Sequence, residues 1–297
     1  MKVLCIGHAT YDIVIPTQEY PKENSKNRVS ESLYCGGGPA SNAAYLLGKW
    51  GVETYFAGIV GNDYAAHVIE KEFEKVNVHL DYFIKDNNYK TTKSYVIVNK
   101  KNASRTSLAC QTNPRYISNI DIKIKPDFIL IDGQEVELSK KVMDCNRDAI
   151  KIIDAGRFNS DVVSLCHYCD YIVCSKDFAI KYCNTTSLED IFKKMMNDFK
   201  GKIIVTLESD GCCYYDDGVK IIPAVPLKAV DTTAAGDIFH GAFVYGLMQN
   251  WDIYKILSFS NTTSSLSVTR LTGRKSIFPL DLVEAFYSEL REHNIYW

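Results

Sequence analysis

Apolar, β-rich runs alternate with helix-patterned segments along most of this chain, a pattern that points to a mainly parallel sheet covered by helices on both faces. Strand candidates lie near residues 2–7, 54–58, 127–132, 151–154, 171–174, 202–207 and 212–216. Helix candidates lie near 40–50, 63–76, 137–148, 187–200, 235–249, 253–269 and 279–292. No repeat, low-complexity tract or linker interrupts them, so one α/β domain over all 297 residues is the expectation. Two segments depart from the alternation. Residues of about 13–35, with the period-two run Arg28 to Tyr34, and residues of about 90–113 read as strands without partnering helices, hence as a small second sheet.

The start of the 235–249 helix carries the chemistry. Asp231-Thr232-Thr233-Ala234-Ala235-Gly236-Asp237 places small residues where a helix opens, so unpaired N–H groups and the positive end of the dipole can face an anion. A carboxylate at that turn, Asp237, is badly placed to bind phosphate, because like charges repel. It is well placed to take a proton from an alcohol attacking that phosphate. A plain helix start would use similar residues, so the motif needs its context. That context is Cys35-Gly36-Gly37-Gly38-Pro39-Ala40-Ser41-Asn42, which leads into an amphipathic helix stopped by Gly51. Gly37 and Gly38 would let a ligand approach main chain, and the donor and acceptors of Asn42 suit a sugar hydroxyl.

Together the two segments resemble the paired signatures of the PfkB or ribokinase family of sugar kinases. The resemblance extends to Val3 to Asp12, similar to the family's first strand ending in a sugar-binding Asp, to Phe56 to Asp63, and to Ile203 to Tyr215, similar to the strand and loop along ATP. It implies a ribokinase-like fold in which the small sheet is a lid that excludes water and in several members forms a dimer surface. Pairing of two copies through the lid is therefore an expectation. It implies ATP and Mg²⁺ as cofactors, with Asp237 as base and Ala234, Ala235 and Gly236 as anion hole. Asp12, Gly37, Gly38 and Asn42 would bind the sugar, and Thr206, Glu208, Gly211 and Gly273 the nucleotide. Arg105 is a candidate phosphate or sugar contact from the lid, against its alternative as a solvated surface charge. Family members also hold a monovalent cation, for which Asp231, Thr233, Ser267, Arg270, Thr272 and Ser276 would supply oxygens, mostly main-chain carbonyls; K⁺ is the expected ion.

Three positions depart from the family pattern. Where many members carry Asn-x-x-Glu to organise Mg²⁺, this chain has Ser175-Lys176-Asp177-Phe178-Ala179, a run similar to ketohexokinase-like members. Glu208 replaces a common glycine in the ATP loop, and Pro39 replaces a ribokinase lysine, which disfavours ribose. Fructose or another ketose comes ahead, with nucleosides behind. A non-catalytic sugar-binding protein on the same fold remains a second reading, and a dinucleotide enzyme is disfavoured because no GxGxxG follows the first strand.

Composition sets the remaining bounds. A formal net charge of −2 and the lack of a basic run interleaved with aromatics give no general attraction for nucleic acid or anionic membrane. No apolar run of 18 residues or signal-peptide pattern appears, and several of the ten cysteines fall inside apolar strand-like runs, so a reduced, cytoplasmic setting is expected. Cys166-His167-Tyr168-Cys169 offers only one CxxC-like pair, too few ligands for structural zinc, and reads as buried thiols.

Overall fold

The computed structural model describes residues 1–111, 116–117 and 120–293. Its first half runs β1 (Lys2–Ile6), β2 (Thr10–Thr17), β3 (Leu33–Gly37), α1 (Pro39–Lys49), β4 (Glu53–Gly61), α2 (Tyr64–Glu74), β5 (His79–Asp86), β6 (Lys93–Asn99) and β7 (Arg105–Cys110). It continues through β8 (Phe128–Ile131), α3 (Val136–Cys145), β9 (Ile150–Ala155), α4 (Ser160–Cys166), β10 (Tyr171–Ser175), α5 (Lys176–Cys183) and α6 (Leu188–Asp198). The last part holds β11 (Lys202–Thr206), β12 (Cys212–Tyr215), β13 (Val219–Ile222), α7 (Ala235–Met248), α8 (Ile253–Ser267) and α9 (Leu280–Glu292).

Nine strands form the main sheet in the order β13-β12-β11-β10-β9-β8-β1-β4-β5, parallel except where β12 and β13 fold back. Strand side chains alternate between two cores, as a sheet covered on both faces requires. Val3, Cys5, Leu130, Ile152, Val173 and Ile204 join one core with α1, α2, α7, α8 and α9, while Leu4, Ile6, Ile131, Ile153, Cys174 and Val205 join the other with α3 to α6. Helix α7 is buried from Ile238 to Met248, so it carries no polar stripe and runs through the interior. Its close neighbour is α1. A Cβ on Gly241 would lie 3.3 Å from the Ala43 carbonyl oxygen, so the two helices approach through small residues.

The second sheet has the order β3-β2-β6-β7 and its own small core of Val14, Val96 and Val98, with Leu33 and Leu271 against it. Both irregular segments of the sequence thus supply it, although 112–113, the end of the second, lie outside the described residues. One placement needs correction. The chain leaves β1 after Ile6, and Asp12 sits on β2 of the small sheet, paired with Cys35, rather than at the end of the first strand. The helix expected over 137–148 stops at Cys145, where Asn146 leaves helical geometry and its side-chain amide donates to the Val142 carbonyl at 2.8 Å. Strands β5 and β13 and helices α4 and α5 were not indicated by the pattern. No described helix is long and apolar enough to cross a membrane.

Candidate active site

Strand β1 has β4 on one side and β8 on the other, so connections diverge there, and a crevice beyond the strand ends is the expected ligand position. Asp132, just after β8, ties this point together. Its Oδ2 accepts from the His8 N–H at 2.8 Å and the Ala40 N–H at 3.2 Å, and its Oδ1 from the Gln134 N–H at 3.0 Å. The same carboxylate lies where a side chain at Gly7 would stand, so the residue just after β1 must be glycine for Asp132 to reach the start of α1.

Helix α7 opens beside this point without a side-chain cap. Ala234, its N-cap, is held in the left-handed region at φ 63°, a conformation that costs a non-glycine residue on the order of 1 kcal/mol. The Ala235 N–H makes only a 3.3 Å turn contact to the Thr232 carbonyl, so part of the expected anion hole is engaged at home. A Cβ placed on the exposed Gly236 meets nothing within 4 Å, which leaves the first-turn amides open to an incoming anion. Asp237 is half-buried on that turn, and its Oδ2 accepts from Asn42 Nδ2 at 2.7 Å. The two sequence signatures therefore meet in one hydrogen bond.

The glycine run is closely surrounded by other parts of the protein. A Cβ on Gly36 would strike the Arg274 guanidinium at 2.3 Å, one on Gly37 the Asp12 carboxylate at 2.2 Å, and one on Gly38 the His8 carbonyl oxygen at 2.2 Å. These glycines make room for the protein's own side chains and main chain. Asp12 is buried there and accepts from Thr10 Oγ1 at 2.7 Å. Burial pushes its carboxyl up to about 6, the Thr10 hydrogen bond opposes this and the Asp237 charge adds to it. Burial likewise raises Asp132, and raises Asp154 at the end of β9 against the opposing His240, whose Nδ1 lies 3.4 Å from Asp154 Oδ2 and 2.7 Å from the Gly236 carbonyl oxygen.

Arg105 reaches across from the start of β7. Its Nη1 donates to both the carbonyl oxygen and Oγ1 of Thr232 at 2.9 Å, while Thr232 Oγ1 donates to the Ala103 carbonyl at 3.3 Å. The lid is thereby pinned to the segment that leads into α7.

The residues expected around a monovalent cation fall into two loops joined by one carboxylate. Asp231 Oδ1 accepts from the Thr233 N–H at 2.8 Å and Oγ1 at 2.6 Å, and Oδ2 from the Thr272 N–H at 2.9 Å. Hydroxyls of Ser267 and Ser276 are turned to the carbonyls of Ser264 and Gly273, both at 2.7 Å, and the Arg270 guanidinium covers the Phe278 ring at 3.7 Å. Main-chain and hydroxyl oxygens of these loops, rather than the Arg270 side chain, are the groups that could serve an ion.

Of the expected nucleotide residues, Thr206 ends β11 with its hydroxyl on the Cys174 carbonyl at 3.3 Å, and Glu208 is exposed with φ 58°. Gly211 has a structural cause, since at φ 98° its Cβ would lie 2.1 Å from the Ile222 carbonyl oxygen. Gly273 lies against Ala234, where an added Cβ would come within 3.1 Å of the alanine methyl group. Ser175 caps α5 by accepting from the Phe178 N–H at 3.0 Å, and Asp177 pairs with Lys181 at the surface at 2.8 Å. Cys166 and Cys169 are buried free thiols, with Cys169 donating to the Leu165 carbonyl at 3.4 Å.

Sequence reasoning missed Arg274, Glu72, Asp132, Asp154 and His240. Asp132 had a readable signal, as an acid directly after an apolar strand; Arg274, between Gly273 and Lys275, looks like any surface cation.

The chain is similar to known sugar kinases. A ribokinase from Lactococcus lactis is 27% identical over 305 aligned positions covering 99% of both chains. The fold matches that of Arabidopsis thaliana ribokinase complexed with ribose and ATP (TM-score 0.80, 22% identity, 96% of this chain and 98% of that one). It also matches Vibrio cholerae fructokinase in its fructose-, ADP- and calcium-bound form (TM-score 0.80, 19% identity, 96% and 98%). The pfkB family carbohydrate kinase model spans residues 1–278, and with the Asn42–Asp237 contact at the open start of α7 this places the chain in the pfkB family of carbohydrate kinases.

Proposed function

We propose that this carbohydrate kinase transfers the terminal phosphoryl group of ATP to a hydroxyl of a ketose, fructose being the leading candidate. The carrying observation is the carboxylate of Asp237 standing on the uncapped first turn of α7, beside the open Gly236. The acceptor oxygen would attack the γ-phosphorus as Asp237 takes its proton, the bond from phosphorus to the bridging oxygen would break, and ADP would leave. Amides of Gly236 and Asp237 would receive the charge on the transferring group, with Ala235 joining if its turn contact opens. Asp12 and Asn42, on either side of the Gly37 turn, would orient the sugar. Pro39, first residue of α1, offers no donor, which supports a ketose over ribose.

ATP would lie along 206–211, and Mg²⁺ arriving with it would neutralise phosphate charge beside Asp12, Asp132, Asp154 and Asp237. No side chain is assigned to that ion, since Ser175 and Asp177 are engaged in the start of α5. The 231–233 and 267–276 loops, tied by Asp231 to Thr272, fit a potassium ion through their carbonyls. A single domain, lid-mediated pairing of two copies and a reduced cytoplasmic setting complete the reading; ten free cysteines support the last.

The test is ADP release with Mg·ATP over a panel of ketoses, aldoses and nucleosides, with the phosphorylated product identified. A phosphoketose formed at a higher kcat/KM than phosphoribose is expected. Faster turnover of ribose or a nucleoside would overturn the ketose assignment, and no product with any acceptor would overturn the kinase itself.

A further inference from the structure

We propose that Arg274 is a positioning residue for phosphoryl transfer, acting through Asn42 on Asp237; the proposal rests on the kinase reading above. Arg274 is the bulkiest fully buried side chain among the described residues, at 2% exposure. Each of its three guanidinium nitrogens donates a hydrogen bond. Nε donates to Asn42 Oδ1 at 3.3 Å, Nη1 to Glu72 Oε2 at 2.9 Å, and Nη2 to Ser41 Oγ. The plane stands 4.5 Å from the centre of the Phe73 ring, and Glu72 Oε2 is held in turn by the Gly36 N–H at 2.8 Å.

This arrangement fixes which way Asn42 points. Guanidinium only donates and carboxylate only accepts, so an amide between the two satisfies both in one orientation, oxygen toward Arg274 and NH₂ toward Asp237. Asn42 then presents a donor to the base. Without Arg274 the amide oxygen loses its partner, and the side chain is free to rotate away from Asp237. Packing alone would not call for an arginine here, because burying a guanidinium is costly and an apolar side chain of similar volume serves a core at least as well. Gly36 points the same way, since any side chain there would displace the guanidinium.

The test uses the full chain with Arg274→Met and, so that no buried carboxylate is left unpaired, Arg274→Met/Glu72→Gln. In ligand-free protein labelled with ¹⁵N-asparagine, the Asn42 side-chain amide is assigned by its loss in Asn42→Asp. Its hydrogen exchange is expected to be about tenfold faster in both Arg274 variants, as for the loss of one net hydrogen bond. With Mg·ATP and D-fructose, kcat is expected to fall roughly 10- to 100-fold while KM for ATP holds, as for a slightly misplaced reacting group. Because Arg274 acts through Asn42, adding Arg274→Met to Asn42→Ala should lower kcat no further. Unchanged Asn42 exchange, or losses that multiply in the double variant, would overturn the proposal. Should the wild type phosphorylate no acceptor, the kinase reading fails separately, and the exchange measurement alone decides whether Arg274 holds Asn42.

Discussion

Asp12 shows how much of this site is set by single-residue environment. Its folded carboxyl titrates at about 6, whereas an unfolded aspartate titrates near 4, so the folded state holds the proton more tightly. Stability from the protonated form is full below about pH 4 and is lost as pH rises through about 6. By pH 8 that loss is on the order of 3 kcal/mol. Asp12→Asn is therefore expected to raise the thermal midpoint clearly at pH 8 and to change it little at pH 4, as followed by circular dichroism. An equal shift at both values would contradict the argument. The sequence displayed Asp12, Asn42 and Asp237 as candidates because their motifs are short and local. It did not display what fills the space above Gly36 and Gly37, because that depends on Arg274 and Asp12 arriving from segments far apart in the chain.

At the level of elements, Arg105 is one of the side chains that join the lid to the start of α7. Arg105 bonds Thr232, two residues before the left-handed Ala234 that opens α7. Arg105→Met removes both hydrogen bonds while keeping most of the apolar stem. Looser closure admits water as a competing acceptor, so the ratio of phosphate released to sugar phosphate formed should rise several-fold. An unchanged ratio at full turnover would rule out this latch. The buried central strands and the long helices were legible because periodicity reports burial. β5 was not. It forms the sheet edge, and the exposed His79, Asp81 and Lys85 cut its apolar run down to Tyr82-Phe83-Ile84. Helices α4 and α5 are seven and eight residues long, too short for a period to declare itself.

Across the whole molecule, the fold brings together residues far apart in the chain, such as Asn42 on α1 and Asp237 on α7, 195 positions apart. The parallel sheet determines where strand ends converge, α7 runs through the core to fix its own first turn, and the lid covers the result. The central claim is that Asp237 removes the acceptor proton while the start of α7 holds the phosphoryl group. Its most direct test compares Asp237→Asn with wild type for ADP formation on the best acceptor, alongside calorimetric titration of ATP. Retained ATP affinity with kcat lower by about 10²–10⁴-fold, the usual range for losing a general base, is the expected result; near-normal turnover in Asp237→Asn would rule out that role.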